Sequence, residues 1–65
     1  MNWDTIKGNW NEYKGKLKEH WGKLMDDDLE VVDGRRDQFI GRIQQRYGLA
    51  KEAAERQLKD VERRA

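Results

Sequence analysis

His20 is the only imidazole that the sequence offers for metal binding or acid–base chemistry, and cysteine is absent. Protein zinc sites are built from three or four cysteine, histidine or carboxylate ligands. A histidine–cysteine zinc site is therefore excluded, and a carboxylate-rich site would have to form around one imidazole. We interpret His20 as a partly exposed helix residue and predict no metal site.

The alternating carboxylates Asp26, Asp28 and Glu30 resemble the first ligands of a calcium-binding loop. Such a loop requires glycine at its sixth position and a bidentate glutamate at its twelfth. In this chain those positions hold Val31 and Asp37. We therefore interpret the carboxylates as a solvated helix cap.

The sequence offers few candidate nucleophiles, because serine and cysteine are both absent and Thr5 is the only candidate alcohol nucleophile. The sequence contains no phosphate-binding loop and no dinucleotide fingerprint. An acid–base pair of carboxylates needs a desolvated cleft, for which so short a chain leaves little room. The sequence predicts a protein that is not an enzyme, with no catalytic or cofactor-binding residues and no cofactor.

Three tryptophans and several nearby lysines have the types needed for a nucleic-acid stacking platform. The tryptophans are Trp3, Trp10 and Trp21, and the lysines are Lys7, Lys14 and Lys18. The tryptophans also match the spacing of the apolar stripe described below, which favours a packed core. A core role is our main interpretation, and nucleic-acid binding is kept as a minority hypothesis.

Four arginines in the second half of the chain, Arg35, Arg36, Arg42 and Arg46, could together hold an anion. Their ordinary interpretation is the polar face of an amphipathic helix.

Composition sets narrow limits on what the chain can build. Hydrophobic residues make up 35% of the 65 residues, charged residues make up 42%, and the mean hydropathy is −1.25. A chain of this size buries only about 60% of its unfolded surface, so the core must be small. The formal net charge of +1 is far from that of a dedicated nucleic-acid binder. The absence of cysteine, of a signal-peptide pattern and of a long apolar run predicts a cytoplasmic protein without a membrane segment.

Apolar residues spaced by threes and fours predict helices throughout. The first stripe, Trp3, Ile6, Trp10, Tyr13, Leu17, Trp21 and Leu24, predicts one helix over roughly residues 3–21. A short helix is expected to start in the acidic run, with Asp27 and Glu30 forming a capping box, and to end at Gly34. A third helix is expected through Phe39 and Tyr47 up to Gly48, and a fourth over residues 51–64.

Two sets of glycines, each spaced by seven, mark an internal repeat. The sets are Gly8, Gly15, Gly22 and Gly34, Gly41, Gly48, and a shift of 26 residues superposes them along with aromatic, basic and aliphatic neighbours. Gly8 and Gly15 fall almost opposite the apolar stripe, so they are not core-packing glycines. Either another backbone approaches that face closely, or weak helices are useful to the protein.

The strings GNWNEYKGKLKEHWGKLMDDD and DGRRDQFIGRIQQRYG closely resemble the CsbD-like family of small bacterial stress-response proteins. The resemblance covers about residues 1–60. It implies an all-α, four-helix domain of two crossed α-hairpins over residues 1–65, made in the bacterial cytoplasm under general or osmotic stress. The family has no agreed biochemical activity, so no site residues are carried over.

Three hypotheses follow from these observations. The first is a hydrophilin-like protectant for cells under osmotic or desiccation stress, because a highly charged, weakly folded chain resists aggregation. The second is an accessory nucleic-acid or anion binder. The third is a protein interaction module that uses the glycine-lined faces, with the chain either a monomer or a weak homodimer.

Overall fold

The computed structural model describes residues 2–64, and all regular structure in this range is helical. The helices are α1 Trp3–Gly8, α2 Trp10–His20, α3 Asp26–Val32, α4 Arg36–Tyr47 and α5 Lys51–Arg64. The all-helical prediction is confirmed, but residues 2–64 form five helices rather than the expected four. The expected crossing of two hairpins stays a prediction.

The additional helix arises because the predicted first helix is interrupted at Asn9. Its backbone leaves the helical region, with φ −123° and ψ 44°. The Asn9 backbone N–H donates to the carbonyls of Thr5 and Ile6 at 3.1 and 3.3 Å, and its side-chain amide donates to Thr5 O at 3.0 Å. These hydrogen bonds close α1, and Asn9 then serves as the N-cap of α2.

The internal repeat is visible in these helix boundaries. A shift of 26 residues takes the α2 start, Trp10, onto the α4 start, Arg36, and takes Asn9 onto Arg35, the N-cap of α4. Each repeat unit is therefore a short helix, a break and a longer helix, and α5 follows the second unit.

The start of α3 differs from the predicted capping box. The N-cap is Met25, whose backbone N–H donates to Asp28 Oδ2 at 3.0 Å. The cap thus uses Asp28 rather than Asp27 and Glu30. Asp28 is the residue that turns toward the protein interior, where its carboxylate also meets charged partners.

Two helix ends have the left-handed conformation that the glycines predict. Gly34 has φ +81° after Asp33 at φ +45°, and Gly48 has φ +64° as the C-cap of α4. Gly34 is also crowded, since a Cβ there would stand 3.2 Å from Lys7 Cγ. The backbone angle therefore strongly favours glycine at Gly34, and a Cβ there would also force the Lys7 side chain to shift.

From α2 onward, successive helices run in opposite directions, as their side-chain pairs show. Between α2 and α3, Lys14 pairs with Glu30 and Lys18 with Asp26. The start of α3 meets the end of α4, and Arg36 at the start of α4 reaches Glu62 near the end of α5 at 3.3 Å. The turn after α2 is attached to the end of α4, where Tyr47 Oη accepts the N–H of Lys23 at 3.0 Å.

One apolar cluster forms the core and draws on every helix. Its buried members are Ile6, Leu17, Trp21, Leu24, Leu29, Val32, Phe39, Ile40, Ile43, Ala54, Leu58 and Val61. Phe39 is fully buried, with ring centroids 5.6 Å from Trp3 and 5.2 Å from Trp21. This cluster holds the two repeat units and α5 together and fixes the position of the charged site beside it.

Candidate functional site

The most organised polar site surrounds the carboxylate of Asp28, whose residue surface is only 1% exposed. Arg46 reaches it through two nitrogens, with Nε 2.8 Å from Oδ2 and Nη2 3.0 Å from Oδ1. Arg42 Nη1 lies 3.1 Å from Oδ1. With the backbone N–H of Met25, four donors surround the two oxygens, which fills the accepting capacity of a carboxylate.

The helices position these groups by their registers. Arg42 and Arg46 are one turn apart on α4 and therefore project from the same face. Asp28 lies four residues before the fully buried Val32 on α3, so it shares that helix's inward face. The two arginine side chains remain 28% and 35% exposed, while the carboxylate between them is covered.

This arrangement keeps Asp28 ionised. The hydrogen bond from Arg46 holds the pKa of the Asp28 carboxyl below its usual value, with help from the Met25 N–H and the charges of both arginines, although burial acts in the opposite direction. The same hydrogen bond raises the pKa of Arg46. A carboxylate with a lowered pKa and fully hydrogen-bonded oxygens is suited to joining α3 to α4.

The other acidic residues do not converge with Asp28 on a common point. Asp26 Oδ1 is 2.8 Å from Lys18 Nζ, and Glu30 Oε1 is 2.9 Å from Lys14 Nζ. The pKa of Asp26 is lowered by its hydrogen bond from Lys18. Asp26 and Glu30 are solvated, as interpreted, but they pair with lysines and do not cap the helix. Asp28 does cap α3, but it is buried and not solvated.

No group of three or more histidine, aspartate or glutamate side chains in residues 2–64 is placed to hold a metal ion. His20 lies on the exposed surface at the end of α2, with its ring centroid 4.7 Å from that of Trp21 in an edge-on contact. Thr5 is exposed on α1, where its N–H donates to Asn2 Oδ1 at 2.9 Å in the helix N-cap.

All three tryptophans act as core anchors, which confirms the interpretation from their spacing. The indole N–H of Trp3 donates to Gly34 O at 2.9 Å, and that of Trp10 donates to Leu29 O at 3.2 Å. Trp21 is 3% exposed and donates to Gln57 Oε1 at 3.0 Å. Their rings pack on the core cluster, so the stacking platform is not assembled.

The four arginines considered as an anion grip are committed to three different intramolecular tasks. Arg42 and Arg46 hold Asp28, and Arg36 pairs with Glu62. Arg35 Nε donates to Val32 O at 3.1 Å, where the last carbonyls of α3 need partners. The anion grip predicted as an alternative is therefore not assembled.

A small basic stripe remains on the solvent face of α5, formed by Arg56, Lys59 and Arg63. These residues are exposed, are spaced by three and four, and make no contact with a charged partner within residues 2–64. An open groove of about 410 Å³ runs beside Lys59, Glu62, Arg63 and Asn2. Its lining carries charges of both signs, so it does not select one kind of ligand.

A second open groove, of about 580 Å³, lies between α4 and α5. Charged and polar side chains surround it, including Arg36, Asp37, Lys51 and Glu55. A small-molecule site is normally mostly apolar with a few convergent polar groups. This groove therefore lacks the lining of a specific binding pocket.

Three of the helical glycines face open space. A Cβ added at Gly8, Gly15 or Gly41 would find no heavy atom within 4 Å, apart from its own helix backbone and chain neighbours. A close approach by another backbone of the described chain is thereby excluded as the reason for these glycines.

The buried role of Asp28 was not predicted, although the spacing of the sequence contains an indication of it. Asp28 stands four residues before Val32, as Asn2 stands four residues before Ile6 in the first repeat unit. Both apolar residues are fully buried. A carboxylate one helical turn from a core residue, with two arginines spaced by four later in the same unit, indicates a buried ion pair.

Comparison with known proteins agrees with the resemblance seen in the sequence. The family described as CsbD-like matches residues 4–56. The UPF0337 protein ECA0631 of Pectobacterium atrosepticum is 61% identical over 62 residues, covering 95% of this chain and 90% of that protein. The UPF0337 protein YjbJ of Salmonella typhimurium is 55% identical over 64 residues, covering 98% and 91%.

The YjbJ protein of Escherichia coli K12 is 53% identical over 64 residues, covering 98% of this chain and 93% of that protein. No solved structure matches the chain. No helix within residues 2–64 has both the length and the apolar character needed to cross a bilayer. From the family match and these identities, the chain belongs to the CsbD-like family.

Proposed function

We propose that this chain is a non-enzymatic bacterial stress-response protein that works in the cytoplasm as a hydrophilin-like protectant. One observation carries the proposal: the buried carboxylate, its arginines and the indole N–H groups are used inside the fold, while the surface is a mixture of charges. The arginine–aspartate site and the indole N–H groups all have intramolecular partners. What the chain offers to other molecules is a hydrophilic surface, with 42% of its residues charged.

The physical basis of protection is many weak contacts rather than one strong site. Charges of both signs bind water and polar surfaces. Exposed ion pairs contribute little to folding, so their charged groups can leave each other and contact another molecule at little cost. The exposed large hydrophobic residues in the described range are Met25 and Val31, at 54% and 44% exposure. So small an apolar surface gives the protein little tendency to aggregate at high concentration.

The test is protection of an unrelated client enzyme through drying and rehydration, compared with equal mass of an inert globular protein. A matched variant, Glu12→Gln, Glu19→Gln, Arg56→Gln and Lys59→Gln, removes four exposed charges and keeps the net charge at +1. We expect the wild type to protect best and this variant to protect less at equal helicity. Recovery no better than with the inert protein would remove the proposal.

A second candidate, an accessory nucleic-acid or anion binder, is favoured by the basic stripe on α5. Three cations on one helix face can contact successive phosphates, and neutralising them should reduce the slope of log affinity against log salt by up to about 3. The variant Arg56→Gln, Lys59→Gln, Arg63→Gln is compared with Lys16→Gln, Lys23→Gln, Lys51→Gln, which has the same net charge. Equal mobility shifts for the two variants at low salt would exclude the stripe as a binding surface.

A further inference from the structure

Two exposed glycines occupy equivalent positions inside the longer helix of each repeat unit. Gly15 lies in the middle of α2, Gly41 lies in the middle of α4, and the 26-residue shift superposes them. Among the glycines of the described range, only Gly34 and Gly48 have positive φ. Gly15 and Gly41 thus have ordinary helical backbones, open space where a Cβ would stand, and no conformational need for glycine.

Glycine at such a position weakens the helix. An interior glycine has a larger backbone entropy to lose than alanine, which makes the unfolding equilibrium constant about fivefold larger at each site, equivalent to about 1 kcal/mol. Neither α2, with 11 residues, nor α4, with 12, is long enough to be stable alone. Both depend on the shared core, so a weakness in either helix lowers the stability of the whole domain.

The weakness is confined to the two repeat units. The 14 residues of α5 contain no glycine and consist mainly of strong helix formers. The equivalent placement in both units distinguishes these glycines from a loop or cap requirement, because those needs are met by Gly34 and Gly48. Gly8, at the end of α1, is equally open but has a smaller effect on a helix that stops there.

We propose that Gly15 and Gly41 are a stability-lowering device that keeps the domain close to its folding midpoint, so that water activity sets the folded fraction. Co-solutes excluded from protein surfaces favour the compact state, and they act visibly only when an unfolded fraction is present. Loss of water then moves the chain toward the folded form. This inference adds regulation to the proposed function and rests on that function for its purpose, although folding is measured independently of client protection.

The folding change has a built-in optical reporter. Trp3 and Trp21 pack against Phe39 in the folded core, and Trp21 is 3% exposed. Unfolding exposes all the indoles to water, so tryptophan fluorescence and far-ultraviolet circular dichroism should report one transition.

The experiment compares wild type with Gly15→Ala, Gly41→Ala and the double variant in urea titrations. Each single substitution should lower the unfolding constant about fivefold, and the double variant about 25-fold. Gln45→Ala, at an exposed position of α4, is the matched control for an added alanine and should change it less than about twofold. Failure of the double variant to gain stability would overturn the proposal, because the glycines would then not be what lowers it.

A second measurement follows the helical signal of each protein at physiological temperature as sucrose is added. The wild type should gain helicity and buried tryptophan signal, whereas the double variant should already be near its plateau. A wild type at its plateau without sucrose would also overturn the proposal. Sucrose-dependent folding without client protection would contradict the proposed function and support this inference. Client protection without sucrose-dependent folding would support the proposed function and contradict this inference.

Discussion

Replacing Asp28 with asparagine tests whether the buried carboxylate is the main polar link between α3 and α4. The substitution keeps the shape of the side chain and removes its negative charge. It leaves the guanidinium groups of Arg42 and Arg46, now without a counter-charge, at 3.1 and 2.8 Å from the substituted group. The amide also replaces an acceptor oxygen with an NH₂ donor that faces N–H groups.

The size of the expected stability loss depends on how deeply the aspartate and the two arginines are buried. Removing one partner of a fully buried ion pair costs about 3–5 kcal/mol. Asp28 is 1% exposed, but the arginine side chains are 28% and 35% exposed and regain some hydration. We therefore expect a loss of about 2–3 kcal/mol. A loss of that size exceeds the unfolding free energy of a domain held close to its folding midpoint, so the variant should be largely unfolded unless sucrose is present.

The assay is urea unfolding followed by circular dichroism, with sucrose added equally to all samples so that each variant has a folded baseline. Asp26→Asn is the matched control in the same acidic run, since its side chain is 82% exposed, and we expect no measurable change in its midpoint. A loss below about 1 kcal/mol for Asp28→Asn would refute the reasoning, because it would place the carboxylate among ordinary surface charges.

Three further predictions follow from the same geometry. The pKa of Asp28 is lower in the folded state than in the unfolded state, where it is near 3.8. The stabilisation from its carboxylate is therefore fully present above the unfolded pKa and is lost as the pH falls through the folded pKa. In acid titrations, the unfolding free energy of Asp28→Asn should fall less steeply with decreasing pH than that of the wild type. Gly34→Ala should destabilise more than Gly48→Ala in urea titrations, since both require positive φ but only Gly34 also meets Lys7; equal losses would contradict the role of that contact. Lys18→Ala should leave the urea midpoint unchanged, because its pair is exposed, and a clear shift would show that the α2–α3 charges matter to folding.

The apolar pattern was sufficient to predict most of the helices and the core. Residues such as Ile6, Leu17 and Ile43 are buried as their spacing indicates, and α5 has the predicted bounds, because apolar periodicity directly reflects which helix face excludes water. The break at Asn9 was not predicted, since the apolar stripe continues through it without a change of period. Its signal lies in the repeat: Asn9 is equivalent to Arg35, which follows the obvious stop at Gly34.

The partners of the buried polar side chains were harder to predict from the sequence. Only its spacing from Val32 sets Asp28 apart from Asp26 and Asp27, and which carboxylate meets the arginines depends on the register of α3 against α4. The same holds for Trp21, whose indole N–H reaches Gln57 in a helix 36 residues away. Such partners are set by the three-dimensional packing, whereas the apolar stripe is a property of one helix.

The two repeat units differ in their polar contacts because the segments that connect their helices differ. The positions equivalent to Asp28 and Arg46 in the first unit are Asn2 and His20, which form no ion pair, and Asn2 instead caps α1 through the N–H of Thr5. Only one residue separates α1 from α2, so the chain itself keeps these helices together.

Between α3 and α4, three residues intervene and two of them, Asp33 and Gly34, have positive φ, so the chain reverses direction. Reversal places the start of α3 beside the end of α4, and no covalent connection holds those two ends in register. The Asp28–Arg46 contact lies at those ends and supplies the restraint. The buried charge is therefore found in the unit whose two helices fold back on each other, and it is absent from the unit whose helices are separated by a single residue.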